Sequence, residues 1–416
     1  MLEKVILVVC DGLGDRPIKD LGWLTPLEAA NTPNLDSLAA ESECGMMHSL
    51  GRGFVPGSDV SHLNILGYDY EKYYSGRGTI EAAGVGLQLS DGDVALRGNF
   101  GTVNDQLIIT DRRAGRINKV KALTEALDGL EIDGVTFIVK PGTAHRAAVL
   151  MRNGPSNVMR GIGLSNAIID ADPHKGDVPI RDVTPIDNTA EASFTAKVLN
   201  KFLKKSYEIL KAHPLNVERQ RNGEMPANYL LVRGAGKYGK VPGFKERFGF
   251  SGCCIAGGGL YKGVASFLGM AVLDVPGATA LPDTDIEAKF RTAIKSLATY
   301  DFVFVHVKAA DSLAEDGNFK GKRDFIEKID KAASLFKELS KDVLLIITAD
   351  HSTPCEQKSH SGDPVPILFR GHGVRVDKVT AFNERACTEG GLGFITGKDV
   401  IPQVLNLFGT LHLTGA

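Results

Sequence analysis

Five short apolar runs rich in β-branched residues punctuate the chain, at residues 4–9, 229–232, 302–307, 343–348 and 365–369. Each has the length of one buried strand and is too short for a packed helix. Between them the periodicity changes. Residues 322–339 place Phe325, Ile326, Ile329, Ala332, Ala333, Phe336 and Leu339 on a single helical face. Residues 188–212 open with Asn188 and Glu191, a cap and third-position pair that predicts a helix start. Strands alternating with amphipathic helices predict an α/β layer architecture around a mostly parallel sheet flanked by helices. Residues 91–185 read differently: the runs at 94–100, 106–110, 135–139 and 146–151 are shorter and partly alternating, with one helix-like stretch at 117–128. They predict a smaller α+β domain, 91–185, inserted between the two parts of the larger one, 1–90 and 186–416.

Composition narrows the function classes. A chain of 416 residues with 43% hydrophobic positions is long enough for two domains with full cores. Its formal net charge of −2 gives no chain-wide basic field, so nucleic acid is not an expected partner. The run Val5-Ile6-Leu7-Val8-Val9 passes directly into Cys10-Asp11-Gly12, with no long apolar region or cleavage pattern, and no stretch reaches the length of a transmembrane helix. Six scattered cysteines without zinc-ribbon or CxxC spacing suit a reducing compartment. The chain is expected to be soluble and cytoplasmic, with no membrane partner.

The polar residues that follow the strands carry the chemistry. Asp11 follows the first run, Asp311 comes four residues after Val307, and Asp350-His351 close the run 343–348, with His360 nine residues further on. In an open α/β sheet ligands gather beyond the carboxyl ends of strands. Any one of these acids alone could be a helix cap or turn residue; their shared placement with two histidines suits a catalytic divalent metal. Ser58 follows the Pro56-Gly57 turn at the start of a helix-like run. It could serve only as an N-cap. The same position favours a bound phosphate, and a nearby divalent ion would make its hydroxyl a nucleophile. Arg112, Arg113 and Arg116 crowd one six-residue stretch, with Arg146 and His174 further along and Arg77 before them. Guanidinium forks suit a ligand with both carboxylate and phosphate, although surface pairing with Asp111, Asp170 or Asp172 would use them up. Gly257-Gly258-Gly259 and Gly234-Ala235-Gly236-Lys237 do not fit the P-loop pattern and are read as tight turns. His306 reads as a core or near-site histidine, and His48, His213, His372 and His412 join no grouping.

Taken in order, these segments resemble the alkaline phosphatase superfamily, and within it the archaeal-type 2,3-bisphosphoglycerate-independent phosphoglycerate mutases. The resemblance spans nearly the whole chain. It rests on Asp11-Gly12-Leu13-Gly14-Asp15-Arg16-Pro17, Gly57-Ser58-Asp59 with His62, Gly67-Tyr68-Asp69, Gly76-Arg77-Gly78 and Glu81-Ala82. It continues through Asp111-Arg112-Arg113-Ala114-Gly115-Arg116, His145-Arg146-Ala147, Asp172-Pro173-His174, Arg233-Gly234-Ala235-Gly236, Asp350 to Cys355, and Gly362 to Pro366.

The resemblance implies an alkaline-phosphatase-like fold and two divalent ions. One would be held by Asp11, Ser58, Asp350 and His351, the other by Asp311, His360 and the residue four after Asp311. Relatives carry a histidine at that last position; here it is Glu315. An oxygen donor there would favour Mn²⁺ or Mg²⁺, with Zn²⁺ or Co²⁺ also admissible. The resemblance further implies phosphoryl transfer from 3-phosphoglycerate to Ser58 and back to the 2-hydroxyl, without 2,3-bisphosphoglycerate. The insert would serve as a lid, with Arg77, Arg112, Arg113, Arg116, His145, Arg146 and His174 gripping a small-molecule phosphoglycerate, and Lys262 would steady the phosphate. A homo-oligomer is compatible with the sequence. Two other readings stay open at this stage: a metal-dependent phosphatase or phosphodiesterase on the same scaffold, and a weakened or silent paralogue in which Glu315 has cost the second ion.

Overall fold

The structure, a computed structural model, describes residues 1–411 and 413, so His412 lies outside it. The chain forms two compact units, Met1–Tyr74 with Pro242–Ala416, and Ser75–Val241.

The first unit is built on an eight-stranded sheet. Its order runs Ala271–Val272, Gly252–Ile255, Phe302–Val307, Lys4–Cys10, Val343–Thr348, Val365–Arg370, Glu43–His48, Gly393–Thr396. Val365–Arg370 runs against both of its neighbours, and the other pairings are parallel. The α/β expectation is met. The three central strands are buried on both faces, which explains why they read as unbroken apolar runs with no alternation. Their register brings their carboxyl ends to one level: Cys10 lies opposite Val307, and Val9 opposite Thr348. Asp11, Lys308 and the Ala349-Asp350 pair therefore leave the sheet side by side. The helix expected at 322–339 is Phe319–Ala333, followed by a 3₁₀ turn at Ser334–Phe336. No described helix is long and apolar enough to cross a membrane.

The second unit is an antiparallel six-stranded sheet with Val94–Val103 as its hub, paired to Ile109–Asp111, Arg146–Asn153 and Tyr229–Lys237. It runs well beyond the expected 91–185. The strand foreseen at 229–232 pairs along Val94–Val103 and does not join the parallel sheet. The helix foreseen at 188–212 is Ala190–Ala212, and its Phe202 ring stacks on Phe137 at 4.0 Å within the second unit's core. Its cap is Thr189, whose hydroxyl accepts from the Ala192 N–H, and not Asn188. Gly234 to Lys237 lie within the strand Tyr229–Lys237, at a register shift opposite Ala95 to Arg97, so they are not a turn between elements. Gly258 does cap a helix, Gly259–Phe267.

Candidate metal centre and arginine cluster

Two groups of potential donors meet at the strand ends: Asp11, Asp350 and His351, and Asp311, His351 and His360, with the donor atoms of each group within 4.8 Å of one another. The acids Asp11, Asp311 and Asp350 are buried, as is His351. Oδ1 of Asp11 and Oδ2 of Asp350 have no hydrogen-bond partner. Buried carboxylate oxygens without donors are costly unless a cation meets them, so this set fits a divalent ion. Ser58 opens the helix Ser58–Ile65, and its Oγ lies 3.3 Å from His351 Nε2. One turn on, His62 Nδ1–H donates to the Ser58 carbonyl at 2.6 Å and stands 3.6 Å from Asp350 Oδ2.

Ring tautomers follow from the partners. The Thr353 hydroxyl donates to Asp311 Oδ1 at 2.7 Å and lies 3.1 Å from His351 Nδ1. A hydroxyl has one proton and a carboxylate only accepts, so His351 Nδ1 carries the proton and gives it to Thr353. The Nε2 lone pair then faces Asp350 Oδ2 at 3.2 Å and Asp11 Oδ1 at 3.4 Å. His360 Nδ1–H donates to the Pro56 carbonyl at 2.8 Å, which leaves its Nε2 lone pair 3.6 Å from Asp311 Oδ1. Second partners of this kind orient metal-binding imidazoles.

Other side chains steady the centre. Tyr261 donates its phenol hydrogen to Asp11 Oδ2 and stacks at 3.3 Å on His306, whose Nε2 is 3.1 Å from the same oxygen. His306 is thus the near-site histidine that the sequence suggested. Burial raises the Asp11 carboxyl, but the Lys308 ammonium and the His306 hydrogen bond outweigh it and hold the group well below the usual range. Asp350 is pushed up by burial and by the Asp11 charge. Lys308 Nζ sits 2.8 Å from Asp311 Oδ2 and 3.5 Å from Asp11 Oδ2. Glu315, on the same short helix as Asp311, joins neither donor group; burial and the Asp311 charge push its carboxyl upward. Lys262 turns to Asp274 Oδ1 at 2.7 Å.

In the second unit, guanidinium groups outnumber nearby acids. Arg112 holds buried Asp172 with a fork at 2.7–3.2 Å, and Arg233 lies 3.9 Å from the same carboxylate and 3.1 Å from His174 Nδ1. Arg77 and Arg97 share Glu81 at 3.2 and 3.6 Å. Arg97 is 8% exposed, and the Nε atoms of Arg97 and Arg146 are buried without partners. Burial lowers the Arg97 pKa to about 10, and Arg146, Arg233 and Arg77 add to the effect. Burial, then Arg146, Arg113 and Arg97, lowers His145 to about 4. So much unbalanced positive charge suits an anion. Arg77, Arg112, Arg146 and His174 from the sequence reading come together here, with Arg113 and His145 beside them. Arg116 is exposed and outside the cluster.

Tyr261, Thr353, Lys308 and Arg97 escaped sequence reading. Lys308 and Thr353 offered a signal, since both lie within three residues of a strand-end acid. Tyr261 and Arg97 had none, because only sheet register and helix packing bring them in.

The model of the 2,3-bisphosphoglycerate-independent phosphoglycerate mutase family matches residues 39–216. The curated 2,3-bisphosphoglycerate-independent phosphoglycerate mutase of Methanococcus aeolicus is 45% identical, over 99% of this chain and 100% of its own length. A second, from Methanocaldococcus jannaschii, is 46% identical over 99% of each chain. Among solved structures, the cofactor-independent phosphoglycerate mutase of Thermoplasma acidophilum is 38% identical, with a TM-score of 0.73 over 98% of this chain and 99% of that one. A Pyrococcus horikoshii protein is 35% identical, with a TM-score of 0.83 over 100% of both chains. This chain belongs to the 2,3-bisphosphoglycerate-independent phosphoglycerate mutase family.

Proposed function

We propose that the chain interconverts 3-phosphoglycerate and 2-phosphoglycerate through a phosphorylated Ser58, as a cytoplasmic enzyme of glycolysis and gluconeogenesis that needs no 2,3-bisphosphoglycerate. One observation carries the reading: the Ser58 hydroxyl stands at a helix N-terminus beside His351 Nε2, next to the buried carboxylates of Asp11 and Asp350, each of which has one oxygen without a donor. Ser58 Oγ attacks the phosphorus of 3-phosphoglycerate as the bond to the C3 oxygen breaks, and glycerate leaves with a proton on that oxygen. The C2 hydroxyl of the same glycerate then takes the phosphoryl group from Ser58, and the serine regains its proton.

Asp11, Asp350, His351 and Ser58 would hold one divalent ion, with Asp311 and His360 available to a second; Mn²⁺ or Mg²⁺ suits the oxygen donors. When bound, such ions acidify the serine hydroxyl and offset charge on the phosphoryl oxygens. Arg97, Arg112, Arg146 and Arg233 are proposed to bind the glycerate carboxylate, with Arg77, Arg113, His145 and His174 supporting them. The unpartnered Nε atoms of Arg97 and Arg146 support this assignment. Arg116, being exposed, has a lesser part. Lys262 would reach phosphate only by leaving Asp274.

An enolase-coupled assay with 3-phosphoglycerate, Mn²⁺ and no 2,3-bisphosphoglycerate tests the proposal, with free phosphate measured in parallel. Formation of 2-phosphoglycerate with little phosphate release is expected. Phosphate release without 2-phosphoglycerate would identify a phosphatase instead.

A further inference from the structure

The two donor groups share His351, and one imidazole lone pair serves one ion. Because Nδ1 gives its proton to Thr353, the only lone pair of His351 is on Nε2, directed at Asp11, Asp350 and Ser58. Once it is committed there, the neighbouring group keeps two protein donors, Asp311 and His360 Nε2. Three or four protein ligands are usual for a tightly held divalent transition-metal ion. Glu315 does not supply the third, although it follows Asp311 by one helical turn. The position also has a competitor: the Lys308 ammonium pairs with Asp311 Oδ2 at 2.8 Å and reaches Asp11 Oδ2 at 3.5 Å. An ion taken up between Asp311 Oδ1 and His360 Nε2 would share the Asp311 carboxylate with that ammonium and meet its like charge.

We propose that the two ion positions are unequal. Asp11, Asp350 and His351 form the retained site, and Asp311 with His360 forms a weak, exchangeable one at which Lys308 is the resident cation. Occupancy of the weak position, and with it turnover, then follows the free divalent-ion concentration. This inference rests on the metal-dependent reading above, but its test counts ions without substrate, so the two can fail separately.

Full-length protein is stripped with a chelator, titrated with Mn²⁺ by calorimetry, and passed through a desalting column before elemental analysis. The wild type should keep one ion per chain and show a second binding event at least about a hundredfold weaker. Glu315→His restores a nitrogen donor and Lys308→Met removes the competitor; each should raise the retained count toward two. His360→Ala should erase the weak event and leave the retained ion in place, a result that does not depend on the first two variants folding. Circular dichroism confirms that each variant compared is folded. Two ions retained by the wild type, two events of equal affinity, or loss of the retained ion in His360→Ala would overturn the proposal.

Discussion

Glu384 shows how one side chain ties pH to stability away from the metal centre. Its carboxyl accepts from the Asp15 N–H at 3.1 Å and from the Thr25 hydroxyl at 2.8 Å, and burial raises its pKa from 4.5 to about 7. The folded state therefore holds this proton more tightly than the unfolded chain does. The associated stability is fully present below pH 4.5 and is lost as pH rises through about 7. Glu384→Gln should remove that loss, flattening the stability profile between pH 5 and 7 by roughly 2–3 kcal/mol relative to wild type. Urea denaturation across this range measures it, and parallel profiles for the two proteins would contradict it. Residue-level legibility was uneven in the same way. Asp11 and Asp350 could be read as site residues because each ends an apolar run. Glu384 and Tyr261 could not, since their partners lie far away in sequence and depend on how the chain folds back.

Among the elements, the loops after the first and third central strands are tied by buried Lys322. Its ammonium donates to Asp15 Oδ2 at 2.8 Å and to the carbonyls of Gly14 and Thr353 at 2.9 and 3.0 Å. These loops carry Asp11 and His351, so the helix Phe319–Ala333 positions the metal centre through one side chain. Lys322→Met would leave the Asp15 charge buried without its partner, at a cost of about 3–5 kcal/mol. Adding Asp15→Asn should recover part of that loss. Chemical denaturation of the single and double variants checks both expectations, and a single variant within about 0.5 kcal/mol of wild type would refute the tie. The periodicity of 322–339 revealed the helix, but not the polar role of Lys322 inside its buried face. The apolar run 229–232 likewise revealed a strand but not its sheet. Four apolar residues look the same in a parallel core and in an antiparallel hub, and pairing partners decide between them.

At the scale of the whole molecule, the insert is larger than alternation alone suggested. The helix Ala190–Ala212 and the strand Tyr229–Lys237 look like ordinary α/β elements, yet their buried faces pack on the antiparallel sheet. A fragment spanning 75–241 should fold cooperatively on its own. One limited to 91–185 should not, because it lacks Phe202 against Phe137 and the strand paired to Val94–Val103. Circular dichroism and urea melts of both fragments test this, and a cooperative transition in the shorter one would restore the narrower boundary.

The central claim is that Ser58 carries the phosphoryl group between the two hydroxyls of glycerate. Its most direct test is rapid acid quenching of the Mn²⁺-loaded protein during turnover of 3-phosphoglycerate, followed by mass spectrometry of the peptide containing Ser58. The account predicts one added phosphoryl group on Ser58, absent without substrate and absent in Ser58→Ala, which should also lose turnover at least about a thousandfold. Turnover with Ser58 unmodified at every quench time, or near-wild-type activity in Ser58→Ala, would contradict it.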